Sequence, residues 1–88
     1  AILIGPYDLS ASIGDIANFS SPVYVKTKSK ILKLSKKYNI PAGIHIVEPT
    51  KLKVSSARKE GYQFIACSMD SVMIRHSAQE YLSFFKKR

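Results

Sequence analysis

Ala1-Ile2-Leu3-Ile4-Gly5-Pro6-Tyr7-Asp8-Leu9-Ser10 is the stretch from which the rest of this chain is read. Its first four residues are apolar and uncharged and include two isoleucines, which predicts a buried strand. Gly5 and Pro6 then stop that strand. Asp8 is therefore expected on a tight turn at the strand's C-terminal end. In parallel α/β proteins that edge is where ligands and metals bind. A glycine lets backbone approach a ligand closely and a proline fixes φ, so the turn is shaped as well as placed.

Outward from this turn the order reads strand, helix, strand, helix, strand, helix. A polar loop carries Gly14, Asn18, Ser20 and Ser21. Pro22 suits the first turn of a helix capped by Ser21 and running to about Tyr38. Ile31, Leu34 and Tyr38 recur at helical spacing, with Lys26, Lys30, Lys33 and Lys37 on another face. Ala42–Val47 predicts a second strand. A helix over 50–59 follows, with Leu52, Val54 and Ala57 as a thin apolar face and Gly61 placed to end it. Gln63–Cys67 predicts the third strand. Asp70 is expected to cap a last helix over 71–85, with Val72, Met73, Ile74, Ala78, Tyr81, Leu82 and Phe85 on its core side. Strands that alternate with helices and lack polar alternation imply a parallel sheet under helices. Right-handed crossovers place all strand C-termini on one edge.

The chain has 88 residues, which is one small domain or part of a larger one. It is read as a single segment, 1–88, with no linker. Hydrophobic residues make up 45% and charged residues 23%, as in soluble globular proteins. No apolar run approaches the roughly 20 residues of a membrane span. One cysteine, Cys67, excludes an internal disulfide framework and fits a reducing, cytoplasmic setting. The chain begins inside a strand pattern without Met, so it is expected to be a fragment. Three parallel strands leave two open edges for further strands or another copy.

The ten residues Gly5–Gly14 resemble the Gly-Pro-x-Asp-Leu-Ser-x-x-x-Gly signature of the HpcH/HpaI aldolase family, which is related to citrate lyase β subunits. Pro22, Gly43-Ile44, and Phe64-Ile65-Ala66 followed by Asp70 fall at family-like places. The resemblance covers essentially the whole chain. It implies the last three βα units of a TIM (β/α)8 barrel. It also implies a class II, metal-dependent carbon–carbon lyase that acts on pyruvate plus an aldehyde, or on their 2-keto-4-hydroxy acid aldol, through a pyruvate enolate. Asp8 would be a ligand to a divalent metal, magnesium or manganese. Gly5, Pro6, Tyr7, Asp8 and His45 would bind substrate, with Tyr7 and Asp8 supplying backbone N–H groups. The family's second metal ligand, catalytic His and substrate-binding Arg lie on earlier strands. No catalytic residue is therefore assigned in this segment, and the chain alone is expected to be inactive. Two positions depart from the pattern: His45 stands where Leu is frequent, and Ser68 where Gly is frequent.

Simpler readings stand beside these. Asp8 on its own is a turn former or the cap of a short helix. His45 is a packed strand histidine, His76 an exposed helix residue, Cys67 a small core residue and Asp70 a helix cap. The net charge is +8, with all 14 basic residues from Lys26 onward. Lys26, Lys28, Lys30, Lys33, Lys36 and Lys37, with the tail Lys86-Lys87-Arg88, would serve phosphate contacts. A solvated helix face accounts for them more simply, and no nucleic-acid partner is expected. Tyr81, Phe84 and Phe85 suit a core or a homo-oligomer interface. The alternative to a lyase is a non-catalytic, oligomerising half-barrel, with a basic nucleic-acid-binding domain behind it.

Overall fold

The computed structural model describes residues 1–86. Its elements are β1 (Ile2–Ile4), α1 (Pro6–Ser12), α2 (Pro22–Lys37), β2 (Ala42–Ile46), α3 (Lys51–Glu60), β3 (Phe64–Cys67) and α4 (Asp70–Ser83). The strands form one parallel sheet in the order β1-β2-β3. Ile4 pairs with Ile44, and Ile44 with Ile65. All three strand C-termini therefore share one edge.

Local chemistry fixes the two long helices beside the sheet. Ser21 Oγ accepts the Tyr24 N–H, and Pro22 occupies the first turn of α2, where its missing N–H costs nothing. Asn39 takes a left-handed φ of 55° beyond the helix, and the Ile40 N–H returns to Ser35 O at 2.8 Å. Thr50 Oγ1 accepts the Lys53 N–H at 3.1 Å to start α3. Gly61 ends that helix at φ 106°, a conformation that only glycine adopts freely.

Alternation along the strands then divides the sheet into two faces. Ile4, Ala42 and Ile44 join Leu32 of α2, Ala57 of α3 and Tyr62 in the core, with Ile31, Ile46 and Ile65 packed against it. Leu3, Gly43, His45, Phe64 and Ala66 belong to the opposite face. Among the described residues no helix covers that face, and Leu3 is 55% exposed.

Several expectations need correction. The segment after Pro6 is a short helix rather than a loop: Pro6 opens it, and Gly14, at φ 83°, follows its end. Strand β1 was expected to be buried, but only Ile4 is, because β1 pairs on one side and is covered on one face. On α2 Ile31 packs against the core as expected, beside the buried Tyr24, Leu32 and Ser35, while Leu34 and Tyr38 face outward. Leu52 of α3 is exposed.

Cys67 is exposed too, since it ends an edge strand with no layer over it. Met69, not Asp70, occupies the cap position of α4. Asp70 is the first helical residue, and its Oδ1 accepts only the Ser71 N–H at 2.8 Å. No residue of α4 is buried: Val72 is half-covered, Met73, Ile74, Tyr81 and Leu82 are exposed, and Phe85 just beyond is 82% exposed. An ion pair of 2.5 Å from Arg75 to Glu48 ties α4 to the β2–α3 connection. The molecule accordingly extends 55 × 27 × 20 Å. No described helix is long and apolar enough to cross a membrane. Of the basic tail, Lys87 and Arg88 lie outside the described residues.

Candidate functional site

Gly5 connects β1 directly to α1, so the signature turn sits at the C-terminal edge of the sheet. Pro6 has no N–H, and the Leu9 N–H is taken by Gly5 O at 2.8 Å. Tyr7 and Asp8 are left with the two first-turn N–H groups that have no intrahelical acceptor. Asp8 is exposed, and its carboxylate makes no hydrogen bond or ion pair among the described residues. The carboxylate folds back over Gly5: a Cβ placed there would stand 3.3 Å from Asp8 Oδ2. The backbone of Gly5 is extended (φ −97°), so a side chain there would meet no conformational strain and would displace the tip of the Asp8 carboxylate by a few tenths of an ångström.

Two cavities flank the turn, and they divide the five expected substrate-binding residues. Gly5 and Asp8 line one of about 340 Å³, together with Leu3, Ile4, Leu9 and Ile31. Pro6, Tyr7 and His45 line another of about 370 Å³. Tyr7 packs edge-on against Phe19 at 5.2 Å, and Phe19 against Tyr24 at 5.4 Å. Lys28 lies over Tyr24 and pairs with Glu60 at 3.3 Å. Burial, and then the charge of Glu60, raise the Tyr24 hydroxyl above its ordinary pKa, so it stays a neutral phenol.

His45 is half-buried near the end of β2. Its Nε2 donates to Ser68 O at 2.7 Å. The two residues that depart from the family pattern thus touch each other. Ser68 takes a left-handed φ of 61°, which shows why glycine suits that place.

Ser10 carries a role that the sequence reading did not assign. It is fully buried, with 0% exposure. Its Oγ donates to Tyr7 O at 3.0 Å and accepts the Ala17 N–H at 2.9 Å. Its carbonyl accepts the Asp15 N–H at 3.0 Å. This one residue clamps the loop after α1 onto the helix that carries Asp8. The available signal was a serine inside the signature, flanked by Leu9 and Ala11.

The donor set bears on a metal. Among the described residues no three His, Cys, Asp or Glu side chains gather to hold one. Asp8 supplies a single carboxylate, exposed and uncommitted among the described residues. A carboxylate oxygen of this kind suits a hard divalent ion such as magnesium or manganese, which one carboxylate alone does not hold.

No family model matches the chain. It is 31% identical over 86 residues to the 5-keto-4-deoxy-D-glucarate aldolase of Citrobacter koseri, covering 98% of this chain and 33% of that protein. The aldolase of the same name from Escherichia coli O157:H7 is 30% identical over the same share. An HpcH/HpaI aldolase/citrate lyase family protein from Burkholderia cenocepacia superimposes with a TM-score of 0.85 at 22% identity, over 97% of this chain and 32% of that one. The HpcH/HpaI aldolase of Desulfitobacterium hafniense gives 0.82 at 20% identity, over 100% and 34%. These likenesses establish the fold as three βα units of a TIM-barrel aldolase. The chain spans about one third of the length of the curated relatives it matches. Over its whole length the chain is thus similar in sequence to 5-keto-4-deoxy-D-glucarate aldolases and in fold to proteins of the HpcH/HpaI aldolase/citrate lyase family.

Proposed function

We propose that residues 1–88 form the last three βα units of a metal-assisted carbon–carbon lyase that cleaves or forms 2-keto-4-hydroxy acids, with pyruvate as one partner and an aldehyde as the other. The observation that carries this reading is the placement of Asp8: an uncommitted carboxylate, folded over Gly5, at the C-terminal edge of a parallel sheet. The names of the curated relatives support a sugar-acid substrate of the 5-keto-4-deoxy-D-glucarate kind.

In this reading Asp8 is one ligand of a divalent ion, magnesium or manganese. The bound ion supplies Lewis-acid polarisation of a keto oxygen. The free N–H groups of Tyr7 and Asp8 hold the pyruvate carboxylate. Gly5 lets backbone and substrate approach closely, and Pro6 fixes the turn. Ser10 keeps the helix carrying Asp8 in register with the loop behind it. The remaining ligand and the proton-transfer groups come from strands outside this segment, so the 88-residue chain alone is inactive. The setting is cytoplasmic, in keeping with the single unpaired Cys67.

The test is pyruvate release from 5-keto-4-deoxy-D-glucarate by the longer protein that contains this chain, with and without EDTA. Release that stops on chelation and returns with magnesium or manganese supports the reading. Release indifferent to chelation overturns it.

The uncovered sheet face and the exposed apolar side of α4 favour a second reading, in which copies of the chain associate as a non-catalytic half-barrel. Light scattering on the purified 88-residue chain separates the two: a stable monomer overturns the second.

A further inference from the structure

Nε2 of His45 meets a carbonyl oxygen, which can only accept, so Nε2 carries a proton. In the neutral ring Nδ1 is then an acceptor, and it has no partner among the described residues. The anchor is firm. The Ser68 N–H donates to Ile46 O at 2.7 Å, which fixes the turn from its other side. Ring and turn are therefore locked in one arrangement, with a single nitrogen left over.

Small residues flank the ring in its row. Ala66 is the register partner of His45 on β3. On β1, one position beyond the Ile4–Ile44 pair, stands Gly5. Between a methyl group and no side chain at all, the imidazole is the largest group in its row, on the face that no described helix covers.

We propose that His45 is a specificity-determining residue whose Nδ1 accepts a hydrogen bond from a hydroxyl on the aldehyde portion of the substrate. The inference rests on the lyase reading above. An acceptor fixed in this way favours a hydroxyl donor and disfavours a carbonyl or carboxylate oxygen, which has no proton to give. A leucine at this position lacks that preference altogether.

Two measurements test it. In the 88-residue chain, nitrogen-15 NMR reads the tautomer of His45 directly: the Nε2-protonated form is expected, and the Nδ1-protonated form overturns the proposal. In the longer protein, addition of pyruvate to glycolaldehyde is compared with addition to propanal, which has a methyl group in place of the hydroxyl. His45→Phe should lower the ratio of kcat/KM for glycolaldehyde to that for propanal about three- to tenfold, the size of one hydrogen bond. An equal loss with both aldehydes marks a merely structural residue and overturns the proposal. No addition to either aldehyde by the unaltered protein overturns the lyase reading itself, and the proposal with it.

Discussion

The ring of Phe64 lies over Gly43, so close that a Cβ on Gly43 would stand 2.2 Å from it. The two are register partners on β2 and β3. Gly43 has no left-handed φ, so glycine is required for the space alone. Gly43→Ala should therefore force the ring off the sheet and cost about 1–3 kcal/mol, as overpacking does. Phe64→Leu in the same chain should recover part of that loss, since the two changes act on one contact. Urea midpoints of the two single variants and the double variant check this. Strict additivity contradicts it.

The parallel order of strands and helices was legible because each strand is a short, mostly apolar run between helical stretches, the first closed by Gly5-Pro6 and the second followed by Pro49. The caps at Ser21 and Gly61 were legible for similarly local reasons, whereas Thr50, expected inside its helix, caps it. Burial was not. Periodicity marks an apolar face on α4, but a face becomes core only when another element covers it, and none of the described ones covers Met73, Ile74 or Leu82. The site was legible as far as Asp8 on its turn. Its division into two cavities was not, because that depends on α1, which starts at Pro6 and takes Asp8 into its first turn instead of beginning beyond it. The contact between His45 and Ser68 spans 23 positions and is visible only in three dimensions.

Ser10 supplies the acceptor for the Ala17 N–H. Ser10→Ala leaves that donor unpaired, at a cost of about 1–3 kcal/mol. The amide of Ala17 should exchange faster in the variant, while the Tyr62 amide, bonded to Ala57 O at 3.2 Å, keeps its relative protection. Unchanged exchange at Ala17 contradicts the clamp.

Tyr62 is buried in the core, and its hydroxyl has no hydrogen-bond partner among the described residues. Burial comes first, then the charges of Glu60 and Tyr24, in raising its pKa above the usual 10.0. Above that pH the unfolded phenol ionises while the folded one keeps its proton. The native state then binds more protons, and stability falls as pH rises. Tyr62→Phe should match or exceed the parent chain's stability at neutral pH and lose less of it in alkali, with the Tyr24 contribution remaining. Urea midpoints at neutral pH and above 10.0 decide the matter. An equal alkaline loss in both proteins contradicts the account.

The most direct test concerns Asp8. Its side chain is exposed and makes no hydrogen bond or ion pair among the described residues, so Asp8→Ala should change stability by no more than about 0.5 kcal/mol. In the longer protein the same change should slow retro-aldol cleavage at least about a hundredfold, since a ligand to the ion that stabilises the transition state is worth several kcal/mol. A stable variant with that loss is the predicted result. A stable variant that cleaves at the unaltered rate contradicts the central claim.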